Sequence, residues 1–85
     1  MNLWNYEIRK TAIKDFKKIS EPYKTKIKLA IKNLENFPNL SNIKKLTNHI
    51  PAYRLRVGDY RILFDVYEDK IEVGIIKHRK DVYEK

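Results

Sequence analysis

Arg54, Arg56 and Arg61 lie in the stretch YRLRVGDYRILFDVY, Tyr53 to Tyr67, at spacings that gather guanidinium groups on one face of a two-stranded ribbon. Leu55 and Val57 alternate with Arg54 and Arg56. Gly58-Asp59 then supplies a two-residue turn with glycine first, as a type II′ hairpin prefers, and Tyr60, Ile62, Phe64 and Val66 resume the apolar rhythm. Such a turn sets Val57 opposite Tyr60, Leu55 opposite Ile62 and Tyr53 opposite Phe64. On the other face Arg56 meets Arg61, with Arg54 diagonal to it. Like charges facing each other across a ladder are destabilising. A phosphate between the guanidinium forks converts that repulsion into charge-assisted hydrogen bonding, so the pattern reads as a phosphate site.

The chemistry such a site supports is cleavage of RNA by its own 2′-hydroxyl. That reaction needs in-line positioning and cations to offset charge developing on the phosphoryl oxygens, which arginines supply. It also needs a proton acceptor and a proton donor, and the segment KHRKDVY offers His78 and Tyr83, of which His78 has the better-matched intrinsic pKa. Folding back near Lys77, that segment is expected at the rim of the arginine face, close to Arg61. Lys44, Lys45, Lys77, Arg79 and Lys80 flank the hairpin as further phosphate contacts. The bland alternative is three solvated arginines, a histidine in a surface turn and a tyrosine plugging the sheet.

The elements that must hold these groups follow from periodicity. Trp4, Tyr6 and Ile8 alternate with polar residues, predicting a strand over residues 3–8. Ala12, Ile13, Phe16 and Ile19 recur at helical spacing after Thr11, a candidate N-cap. Ser20-Glu21-Pro22 then opens a second helix, whose stripe Tyr23, Ile27, Ala30, Ile31 and Leu34 runs to about Asn36. The helical lysines read as solvated faces. Residues 37–52, with Pro38, Pro51 and several Asn and Ser, read as a loop carrying Lys44 and Lys45. After a turn at Glu68-Asp69, Ile71, Val73 and Ile75 are expected opposite Val66, Phe64 and Ile62. That register leaves Leu63, Gly74 and Ile76 on the arginine face and sets Asp65 against Glu72. The fold class is α+β: one small domain, residues 1–85, in the order β-α-α-β-β-β, with a helical hairpin on one face of a mainly antiparallel sheet.

Composition narrows the possibilities. Eighty-five residues allow one modest core, and a net charge of +8 favours polyanions or an acidic protein as partner. There is no cysteine and there are only two histidines, His49 and His78, so no metal site and no cofactor are expected. No apolar run approaches membrane-spanning length and the N-terminus lacks a secretory pattern, so a cytoplasmic protein without a membrane partner is expected.

The order of elements, together with the tyrosine-arginine strand opening, the Gly-Asp-Tyr-Arg turn and the final His-Arg-x-x-Val-Tyr, resembles the RelE/ParE superfamily of toxins from toxin-antitoxin systems. The likeness covers nearly the whole chain. It implies a ribosome-dependent, metal-independent mRNA endoribonuclease, bound by a cognate antitoxin in a hetero-oligomer. Carried over by position, the phosphate-binding residues fall on Arg54, Arg56 and Arg61, the C-terminal basic residue on Lys77 or Arg79, and the terminal tyrosine on Tyr83, with His78 as an added candidate. Arginine stands where the RelE pattern has lysine at the first two positions, and it cannot serve as a general base. The alternatives are a ParE-type inhibitor of DNA gyrase without nuclease activity, and a nontoxic basic RNA-binding module.

Overall fold

The protein is described by a computed structural model over residues 3–81. Strand β1 (Asn5–Ile8) leads into helices α1 (Lys10–Lys17) and α2 (Tyr23–Lys32), and a 3-10 turn (Asn33–Asn36) extends α2 to the expected limit. Strands β2 (Ile43–Lys45), β3 (Tyr53–Val57), β4 (Tyr60–Tyr67) and β5 (Lys70–His78) follow, with a second 3-10 turn at Arg79–Asp81. The five strands form one sheet in the order β1-β5-β4-β3-β2. All neighbours are antiparallel except β1 and β5, which run parallel.

The β3–β4 register matches the one read from the turn, including Arg56 opposite Arg61. Gly58 has φ +57° and Asp59 does not share the positive value, as a turn with glycine first requires. The β4–β5 register departs from expectation halfway along. Val66 faces Ile71 and Phe64 faces Val73, but Leu63 faces Ile75 and Ile62 faces Ile76, so Gly74 is an extra residue in β5. A one-residue bulge turns every later side chain to the opposite face. Ile76 therefore joins the core, Ile75 takes the arginine side, and Lys77 comes to lie opposite Arg61.

The core sits between the helical pair and one sheet face: Ala12, Ile19, Ile27, Ile31 and Leu34 pack on Leu55, Ile62, Phe64, Ile71, Val73 and Ile76. Phe37 anchors one end, edge-on to Trp4, Tyr53 and Phe64 at centroid distances of 5.4, 5.5 and 6.0 Å. Thr11 does not cap α1. Arg9 takes that place, and the Thr11 hydroxyl donates to the Gly74 carbonyl at 2.6 Å. One turn further on, the Asp15 carboxylate accepts from the Ile76 amide at 3.0 Å. Beyond the end of β1, α1 thus takes over the pairing of β5's edge. At α2 the N-cap position falls to Pro22 and not Ser20, and the carboxylate of Glu21 just before it accepts from the Thr25 amide at 3.0 Å and the Thr25 hydroxyl at 2.8 Å.

Candidate nucleic-acid interface

The sheet face turned away from the helices carries its cations at the end nearest the β3–β4 turn. Cross-strand pairing aligns Lys44 with Arg54, Arg54 with Leu63, Arg56 with Arg61, and Arg61 with Lys77. Four strands therefore contribute Lys44, Arg54, Arg56, Arg61 and Lys77 to one continuous patch. Leu63, buried but outside the core cluster, and Ile75 border it, and Asp65 opposite Glu72 marks the acidic far end. The two acids are held apart in their bonding: Asp65 accepts from the Ala52 amide at 2.7 Å, and Glu72 pairs with Arg9 at 3.3 Å.

Arg61 is not the exposed side chain that the sequence suggested. It retains only 8% exposure, and its Nη1 donates to the carbonyls of Gly58 and Tyr60 at 3.1 Å each. The turn that sets the register thus also fixes this guanidinium. Arg56 beside it is exposed and Arg54 is half-buried. A cation held by backbone acceptors reorganises little when an anion arrives, which is the arrangement that electrostatic stabilisation rewards.

The remaining candidates divide. Lys77 joins the patch because of the Gly74 bulge. His78 goes to the helical side for the same reason, edge-on to Tyr60 at 5.2 Å, and Tyr60 in turn packs on Tyr23 at 5.3 Å. His78, expected at the rim of the arginine face, thus lies on the other side of the sheet. Its Nδ1 accepts from the Lys80 amide at 3.2 Å, which leaves Nε2 for a proton. Arg79 stays at the hairpin turn, its amide donating to the Asp59 carbonyl at 2.6 Å. Lys45 leans to the core side, 5.9 Å over the Tyr53 ring, whereas Lys44 faces the arginines. Tyr83 lies outside the described residues. Among the described residues, no group of three or more His, Asp or Glu is arranged to hold a metal ion, and no helix is long and apolar enough to cross a membrane.

Residues 6–83 match the family model described as the ParE toxin of type II toxin-antitoxin systems, parDE. The chain belongs to this toxin family. It is 37% identical over 79 residues to Toxin RelE3 of Methanocaldococcus jannaschii, spanning 88% of this chain and 90% of that one. It superposes with TM-score 0.75 on a chain of the RelB-RelE antitoxin-toxin complex from Methanococcus jannaschii, also at 37% identity, covering 86% and 89% of the two chains. The archaeal RelE-RelB complex from Pyrococcus horikoshii OT3 gives TM-score 0.76 at 22% identity over 94% and 99%, a likeness of fold. The protein is thus the toxin component of a toxin-antitoxin system and a RelE homologue.

Proposed function

We propose that this toxin is an endoribonuclease that cuts mRNA on the ribosome, with the patch of Arg54, Arg56, Arg61 and Lys77 receiving the scissile phosphate. The observation that carries the reading is the Arg61 guanidinium, fixed by two carbonyls and set opposite both Arg56 and Lys77. The 2′-oxygen attacks phosphorus and loses its proton. The bond to the 5′-oxygen breaks and that oxygen takes up a proton, leaving a 2′,3′-cyclic phosphate. Arginines stabilise the phosphorane charge but cannot accept the first proton. In this reading Tyr83 and Arg79 keep the proton-transfer and charge roles that the resemblance implies, Lys44 and Lys80 add phosphate contacts, and His78 and Lys45, turned to the helical side of the sheet, take no part. The partner is a cognate antitoxin, in line with the antitoxin-toxin complexes among the relatives.

The test is primer extension on translated mRNA after induction. Wild type should give discrete breaks, and Arg56→Ala, an exposed position, should reduce cleavage by about 10²-fold or more with the fold unchanged. Undiminished cleavage by Arg56→Ala would remove the assignment. A second reading, inhibition of DNA gyrase, is favoured by the name of the family model and by the turning of His78 away from the patch. It requires intact transcripts with DNA damage in the same cells.

A further inference from the structure

Past Leu63, the sheet face that carries the arginines opens into a cavity of about 240 Å³, walled by Ile50, Pro51 and Ile75 on its apolar side and by Arg9, Asp65 and Glu72 on its polar side. Ile75 also borders the cationic patch, so the two features are continuous. Gly74, the bulge residue, makes room: a Cβ there would stand 3.6 Å from Cγ of Pro51 and 3.9 Å from Cδ of Arg9, in the gap between the walls. At the lip, Ile50 is 88% exposed. Each carboxylate is bound through one oxygen. Oδ1 of Asp65 accepts from the Ala52 amide and Oε1 of Glu72 from Nη1 of Arg9, which leaves Oδ2 and Oε2 as acceptors for a ligand. The two acids stand directly opposite each other on the β4–β5 ladder, where like charges repel unless a donor comes between them.

We propose that this cavity takes the base of a nucleotide adjoining the scissile phosphate, and that its carboxylates select a base with an exocyclic amino group, cytosine, adenine or guanine, against uracil. The proposal rests on the reading of the arginine patch as the phosphate site. Charge decides which part of the strand lies here. A phosphate over Asp65 and Glu72 is repelled, so the backbone keeps to the cationic end and the cavity is left to a base. Asp65 lies on the same face as Arg61 further along β4, about 13 Å away at the rise of a strand, within reach of a base carried by a neighbouring nucleotide. Single-stranded RNA is read in this way, through splayed bases whose edges are hydrogen-bonded and whose faces are packed. Ile50, Pro51 and Ile75 supply the packing surface. An amino group donates to a carboxylate, whereas uracil sets a carbonyl oxygen in the same place, acceptor against acceptor. A metal ion would leave the apolar wall unused, and a base uses both walls.

The probes are 2′-O-methyl oligocytidylate and oligouridylate of equal length, which have no free 2′-hydroxyl and are not cut. Binding to the intact toxin is followed by fluorescence anisotropy, and circular dichroism checks each variant's fold. Wild type should prefer oligocytidylate by about tenfold. Asp65→Asn keeps an oxygen for the Ala52 amide and puts an amino group where Oδ2 stood, so it should abolish or reverse the preference by gaining affinity for oligouridylate. Gly74→Ala, which narrows the cavity, should weaken oligocytidylate and leave oligouridylate as it is. The proposal is overturned if wild type binds both probes equally or neither, or if Asp65→Asn retains the full preference. Arg56→Ala separates the two readings: it should weaken both probes alike. If it binds both as wild type does while the preference persists, the phosphate reading fails and the base site stands.

Discussion

At the scale of single residues, Arg61 serves two ends. Its Nη1 satisfies two backbone carbonyls at the hairpin tip, and its side chain is nearly sealed from solvent. Arg61→Ala should therefore lose activity and also about 1–3 kcal/mol of stability, since buried acceptors left unpaired retain their desolvation cost. Denaturant melts would separate it from Arg56→Ala, for which no stability loss is expected. Glu21 gives a pH signature. The Thr25 hydroxyl, then the Thr25 amide and the Lys24 charge, hold its carboxyl below the ordinary value of 4.5. A folded-state pKa lowered in this way stabilises the protein above 4.5, and that contribution disappears as pH falls through the folded value. Glu21→Gln should flatten stability against pH in this acid window, and identical acid limbs for the two proteins would refute the assignment.

At the scale of elements, the two glycines behave in opposite ways. Gly58 needs its positive φ, and a Cβ there would sit 3.1 Å from Cε1 of Tyr23, so Gly58→Ala should cost about 1–2 kcal/mol. Gly74 has no such φ, and its Cβ would meet Pro51 Cγ at 3.6 Å, an ordinary contact. Gly74→Ala should be neutral or stabilising by about 0.4–1 kcal/mol through the unfolded chain, as thermal melts can show. The contrast explains what the sequence disclosed. A two-residue turn with glycine first has one register, so the pairing of Arg56 with Arg61 was legible. The bulge was not, because alternation through Val73, Ile75 and Lys77 reads as regular. The lone glycine in a strand was the available signal, and missing it exchanged the faces of Lys77 and His78. Strand β2 escaped because Ile43–Lys45 is short and lies in a stretch rich in loop formers. The parallel partnership of β1 and β5 leaves no local pattern at all.

At the scale of the whole molecule, charge is partitioned by side. The arginine patch occupies one sheet face and the lysines of α1 and α2 lie on the other side, so the excess of basic residues behind the net charge of +8 is spread over both sides of the sheet. RNA affinity governed by the patch should fall with salt, and each phosphate contact removed, as in Arg56→Ala, should lower the slope of log affinity against log salt by about 0.7. Filter binding across salt concentrations measures this, and an unchanged slope would show that Arg56 touches no phosphate. The sheet order has a temporal consequence as well. Strand β5 lies between β1 and β4 and carries Lys77, so neither the sheet nor the cationic patch can close until β5 has been synthesised. A nascent chain paired only through β3 and β4 therefore lacks both the strand that joins β1 to β4 and the Lys77 corner of the cationic face.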